Sequence, residues 1–110
     1  MAVFGDNQCW SWVHFNHSNT IQSDYNVSSV SHIGTGFYAI FIDNDAPTGS
    51  YCILGNGQWD STAPNNVSNF GSYGNAQHST SRFDCANVNP GSQAKFNGNT
   101  GMFAAIFSAF

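Results

Sequence analysis

Two short runs in this chain are apolar on both faces of an extended strand. Every side chain in residues 37–42 is apolar, and residues 102–110 are apolar everywhere except at Ser108. Strands of this kind are covered on both sides. We therefore expect residues 102–110 to lie at the centre of a sheet or between subunits, since an exposed apolar edge would promote aggregation.

The rest of the chain alternates between short period-two segments and clusters of Gly, Asn, Asp and Pro, and no window has the spacing of an amphipathic helix. This pattern predicts an all-β fold: a single-domain β-sandwich or a jelly-roll-like barrel of about seven or eight short antiparallel strands. Residues 1–8 are predicted to form an N-terminal arm, and residues 9–110 the single β domain. The strand signals cover residues 9–15, 20–23, 25–33, 37–42, 51–54, 78–86 and 102–110.

Three segments are predicted to be turns or loops. Gly34-Thr35-Gly36 is typical of a tight turn, because glycine takes positive φ without steric cost. Asn56-Gly57 predicts a hairpin. Residues 60–77 form the longest polar stretch and are expected to be an exposed loop, a common place for binding contacts.

Aromatic side chains flank this polar stretch or lie inside it, at Trp59, Phe70 and Tyr73. Aromatic residues among Asn, Ser and Gly form adaptable contact surfaces. We interpret the three as a candidate exposed contact loop that stacks on a sugar or on a neighbouring protein. The alternative is that they only attach the loop to the sheet.

Charge is scarce: eight of the 110 residues are charged, none is Glu, and Arg82 and Lys95 are the only Arg and Lys. A surface so poor in charge is weakly protected against association. It suits a subunit that stays packed against copies of itself, although a neutral extracellular monomer is the alternative. The net charge of −4 without a basic cluster argues against nucleic-acid binding and against attraction to anionic membranes.

Signals for chemistry are weak, so we expect no enzyme, no cofactor and no metal site. The four histidines lack metal-ligand spacing, and no G-x-S-x-G motif is present. Asp43-Asn44-Asp45 resembles a fragment of a calcium loop, but the later acidic ligand is missing, which favours an ordinary turn. Cys9, Cys52 and Cys85 lie in apolar or alternating segments and are predicted to be three buried thiols. The start of the chain has no signal-peptide pattern, which predicts synthesis in a cytoplasm.

A set of short motifs resembles a module found in structural and tail-fibre proteins of phages. The matching residues here are Phe15-Asn16, Asn26-Val27-Ser28-Ser29-Val30, Gly34-Thr35-Gly36, an aromatic strand containing Tyr38, and Pro47 followed by Tyr51. The apolar segment 104–107 resembles the last strand of that module. His17 and Asn19 replace two glycines of its first turn. The resemblance covers most of the chain loosely and implies a virion structural protein with no catalytic residues.

The resemblance and the charge depletion together predict a small capsid decoration, or cement, protein. It would be a homo-oligomer, a trimer by the resemblance, made in the host bacterial cytoplasm and bound to the major capsid protein on the outside of the virion. Phe103, Phe107 and Phe110 are the predicted subunit contacts. Two alternatives stay open: a tail-fibre tip or other tail component that recognises a host surface glycan, and a free lectin-like domain.

Overall fold

The protein is described by a computed structural model that covers residues 7–16, 18–58, 69–71, 78–88 and 101–109. These residues form strands, turns and bends without a helix, which confirms the predicted all-β class. The eight strands are β1 (Asn7–Phe15), β2 (Ile21–Tyr25), β3 (Val27–Gly34), β4 (Phe37–Ile42), β5 (Cys52–Gln58), β6 (Asn69–Gly71), β7 (Arg82–Val88) and β8 (Gly101–Ala109).

The strands form two antiparallel four-stranded sheets. Sheet I has the order β2-β1-β8-β5, and sheet II has the order β3-β4-β7-β6. Side chains from both sheets meet in one core; the rings of Phe15 in β1 and Tyr38 in β4, for example, lie edge to face with centroids 5.2 Å apart. The architecture is a β-sandwich, as predicted. Asn7 and Gln8, assigned to the arm from sequence, pair with β8 as part of β1.

The two runs that are apolar on both faces occupy central positions. β8 lies between β1 and β5, and β4 lies between β3 and β7. Met102, Ala104 and Ile106 of β8 are fully buried in the core. The prediction that residues 102–110 lie centrally in a sheet is therefore confirmed for the residues of β8.

The predicted strand 25–33 begins two residues too early: residues 27–33 lie in β3, whereas at Asn26 the chain turns a corner from sheet I to sheet II. Asn26 has a φ of 56°, a left-handed conformation that Asn tolerates better than most residues. Its Nδ2 donates to the carbonyl oxygens of Trp10 and Asn44, each at 3.1 Å, and its Oδ1 accepts from the Asn44 N–H at 2.7 Å. These bonds fix the corner.

Two further local predictions are corrected by pairing between distant segments. Asn56 and Gly57 do not form a hairpin turn; they lie inside β5 and pair with Phe103 and Met102 of β8. Likewise, the predicted loop 60–77 contains strand β6, which pairs with the end of β7. The tight turn at residues 34–36 is confirmed, with Gly36 at a φ of 65°.

Tyr51 links the two sheets just before β5. Its hydroxyl lies 2.7 Å from the carbonyl oxygen of Ser79 and 2.9 Å from that of Arg82, at the start of β7. Its ring packs edge to face on Phe83 at 6.2 Å. Burial raises the pKa of Tyr51 to about 12, because the phenolate would lose its hydration there.

This contact predicts a pH-dependent difference in stability between the native chain and Tyr51→Phe. At pH 8 we expect the variant to be less stable by about 1–2 kcal/mol, because it lacks the hydroxyl bonds. The pKa of a tyrosine is about 10 in the unfolded chain, so the folded state of the native chain loses the Tyr51 contribution as pH rises from about 10 to about 12. The difference should therefore narrow in urea unfolding at pH 11; a difference that stays constant from pH 8 to pH 11 would contradict the assignment.

Candidate functional site

The two faces of sheet I carry different sets of side chains. Residues that pair directly across an antiparallel sheet point to the same face. Val13 pairs with Ala104 and Phe15 with Met102, and these four side chains lie in the core. The residues between them in sequence therefore point away from the core.

The register aligns the outward residues in three rows across the sheet. We call their surface the outer face of sheet I. The rows are Tyr25–Trp12–Ala105–Leu54, Ser23–His14–Phe103–Asn56 and Cys9–Phe107–Cys52.

This outer face is mostly apolar and reaches solvent. Tyr25 is 58% exposed, Leu54 53% and Phe103 40%, and the fourth large exposed apolar side chain of the described residues, Ile33, lies in sheet II. The rings of Trp12 and Phe103 stack with centroids 6.2 Å apart. Contiguous exposed apolar surface of this kind marks an interaction site.

The corresponding face of sheet II is closed. Ala39, Asp84 and Ala86 point away from the core there, because they neighbour core residues on β4 and β7, and yet all three are buried. On the same face the Arg82 guanidinium lies 5.5 Å from the centre of the Phe41 ring. Three of the four large apolar side chains that are exposed among the described residues lie in sheet I, and the fourth, Ile33, lies in sheet II.

The residues predicted as subunit contacts divide between this face and the part of the chain outside the described ranges. Phe103 and Phe107 both lie on the outer face of sheet I, with Phe107 half-buried. Phe110 lies outside the described residues. So do Trp59 and Tyr73 of the predicted contact loop.

Phe70, the third residue of the predicted contact loop, lies in β6 and pairs with Asn87. Sequence reasoning missed Trp12, Tyr25 and Leu54 as members of the outer face. Alternation within β1 indicates a common side for Trp12 and His14, but Tyr25 and Leu54 reach the face only through the pairing of strands far apart in sequence.

The prediction of three buried thiols is wrong for two of them. Cys85 is buried in the core, whereas Cys9 and Cys52 are exposed on the outer face of sheet I, on either side of Phe107. Cys52 lies in the edge strand β5, and Cys9 lies beside a bulge in a part of β1 that does not pair with β2. Partial desolvation raises the pKa of Cys9, and deep burial raises that of Cys85 further.

These two exposed thiols cannot pair with each other in one chain. β8 separates their strands, so their Cα atoms lie about 10 Å apart by the usual strand spacing. A disulfide needs a Cα separation of less than about 7 Å. The three cysteines are free.

The segment that resembles a calcium loop is part of the Asn26 corner. The carbonyl oxygen of Asn44 accepts from the Trp10 Nε1 at 2.9 Å as well as from Asn26, so it is already used within the fold. Within the described ranges, no three His, Cys, Asp or Glu side chains gather where they would hold a metal ion. In the same part of the chain, no helix has the length and hydrophobicity needed to span a membrane.

Comparison with known proteins gave no match among protein-family models, curated proteins or solved structures. Function therefore has to be argued from the fold and from the chemistry of its surfaces. The outer face of sheet I is the strongest candidate site, because exposed Tyr25, Phe103 and Leu54 from three strands lie on the same face as the half-buried Trp12 of the fourth strand.

Proposed function

We propose that this protein is a non-enzymatic structural protein of a bacteriophage particle, working as a homo-oligomer bound to the outside of the capsid. The observation that carries the proposal is the outer face of sheet I, where large apolar side chains from three of its four strands lie in solvent. Each square ångström of apolar surface removed from water contributes about 25 cal/mol. Covering this face is the most favourable change available to the described surface.

The charge content supports a subunit that is permanently surrounded by neighbours. Eight charged residues in 110 leave the chain little electrostatic protection against association. A monomer at high concentration would be at risk of precipitation with such a surface. A subunit with fixed neighbours does not need surface charge to stay in solution, because its apolar face is buried by the assembly.

The motifs that resemble the phage module have structural tasks in this fold, which supports a structural role. Asn26, which begins N-V-S-S-V, holds the corner between the sheets. Gly36, in G-T-G, takes positive φ in the turn before β4. Motif residues that fix corners and turns are typical of a fold module.

Within this proposal the partners are the major capsid protein and further copies of this chain. A decoration protein follows the capsid lattice, so its copies number in the hundreds per particle, whereas a tail-fibre tip is present in about a dozen copies or fewer. Copy number therefore separates decoration from a tail component.

The test is a quantitative immunoblot or peptide quantification on density-purified particles, with the major capsid protein as the internal standard. We expect the chain to co-purify with particles at hundreds of copies. An abundant host cytoplasmic protein, measured in the same fractions, is the control for contamination. Failure to co-purify above that control would overturn the proposed function.

A further inference from the structure

We propose that a second copy of this chain docks on the outer face of sheet I, face to face about a two-fold axis. This inference rests on the proposed function and deepens it, because it names the surface and the partner of self-association. It assigns the contact to the face formed by Tyr25, Trp12, Phe103, Leu54 and Phe107.

The size of the face fits a protein contact. Three strand spacings give about 14 Å across the sheet, and the four-residue rise from Phe103 to Phe107 gives about 14 Å along it. With side chains the face covers about 400 Å², within the range of the largest functional patches on monomers. That is about half of the 800 Å² that each partner buries in an interface of standard size, so we expect a weak dimer that forms at high protein concentration.

Charge favours an identical copy over a charged partner. None of the residues that define the outer face is Asp, Glu, Lys or Arg. Asp24 of β2 pairs with Val13 and so points to the opposite side of the sheet. Two chains of net charge −4 repel each other least when they meet through an uncharged face, and a basic or acidic peptide would find no counter-charge on it.

The relief of the face suits two-fold packing. In the first row the small Ala105, only 3% exposed, lies between the larger Trp12 and Leu54. Neighbouring side chains therefore already cover Ala105, and the row presents large side chains on either side of a small one. A two-fold contact needs a surface that packs against itself, because each copy presents the same residues to the other.

The exposed thiols give an independent readout of the contact. Cys9 and Cys52 border Phe107 on this face, so a docked copy would shield both from a small alkylating reagent such as iodoacetamide. Cys85 is buried in the core of each copy and should stay unreactive whether or not the chains associate. The three cysteines therefore separate shielding by association from protection by folding.

The experiment measures mass by sedimentation equilibrium for the native chain, Leu54→Asp, Phe103→Asp and the control Ile33→Asp. Ile33 is 44% exposed but lies in sheet II, so its substitution adds the same charge away from the proposed contact. We expect the native chain and the control to show twice the mass of one chain. A buried unpaired carboxylate is strongly unfavourable, so Leu54→Asp and Phe103→Asp should weaken dimerisation about 100-fold or more.

Alkylation of the native protein keeps the test valid if a charged variant fails to fold. Labelling of Cys9 and Cys52 should slow as protein concentration rises through the dimerisation range, while Cys85 stays unlabelled. A monomer at high concentration, a dimer insensitive to both face variants, or labelling independent of concentration would overturn the two-fold contact. A mass of three chains would also overturn the two-fold contact but would leave the proposed virion role standing. A dimer that is absent from purified particles would overturn the virion role but would leave the two-fold contact standing.

Discussion

Arg82→Met is expected to destabilise the folded domain by about 1.5–3 kcal/mol, because it removes charge-assisted hydrogen bonds to the buried carboxylate of Asp84. The Arg82 Nε donates to Asp84 Oδ1 at 2.7 Å and its Nη2 donates to Oδ2 at 3.0 Å. Asp84 is only 1% exposed, whereas the Arg82 side chain is 27% exposed, so the guanidinium replaces part of the hydration that the carboxylate loses on burial. The same hydrogen bond raises the pKa of Arg82. Urea unfolding at pH 7 measures the loss.

The double variant Arg82→Met/Asp84→Leu is the matched control for this prediction. It removes both charges and leaves apolar side chains of similar size beside Phe41, a replacement that is often neutral or stabilising for buried pairs. We expect it to recover most of the stability that Arg82→Met loses. A loss below about 1 kcal/mol in the single variant would show that the pair behaves like a solvent-exposed one.

Much of the sandwich could be predicted from sequence, because burial leaves a direct imprint on strand composition. Residues 37–42 and most of 102–110 are apolar on both faces, and β4 and β8 are central strands. Alternation within residues 78–86 places Phe83 and Cys85 on the same face of a strand, and both are fully buried. Where one face of a strand meets the core, period-two spacing carries that information.

Bulges and residues in the left-handed conformation interrupt the period-two alternation of a strand without a clear sequence signal. Alternation predicts that Trp10 and Trp12 share a face, but the register shifts between Cys9 and Ser11, and Trp10 packs against the core. Asn26 looks like an ordinary polar strand position, yet its side chain closes the corner between the sheets. Such features depend on tertiary contacts that a local pattern does not contain.

The candidate site was only partly predictable for a related reason. Phe103 and Phe107 could be identified because an apolar last strand needs a cover on both faces. Tyr25 and Leu54 join them only through pairing between strands that are distant in sequence, β1 with β8 and β5 with β8, which alternation within one segment cannot give. The exposed positions of Cys9 and Cys52 follow from the same long-range pairing.

Phe15→Ala is expected to cost about 3–5 kcal/mol of unfolding free energy, the usual loss when a buried aromatic side chain is truncated. Phe15 is fully buried in sheet I, and its ring packs edge to face on Tyr38 of sheet II at 5.2 Å. Truncation leaves a cavity at a point where side chains of the two sheets pack against each other. Thermal or urea unfolding of the purified variant measures the effect.

Phe103→Ala is the matched control, because it removes the same ring from a neighbouring position on the other side of the sheet. Phe15 pairs with Met102 and His14 with Phe103, so the two phenylalanines lie one register step apart on opposite faces. Phe103 is 40% exposed, and its truncation should cost the single chain less than about 1 kcal/mol. Phe103→Ala should instead weaken self-association, which Phe15→Ala should leave intact as long as the chain is folded. Equal losses of stability in the two variants would mean that both faces of sheet I are buried within one chain, which would remove the physical basis for docking on its outer face.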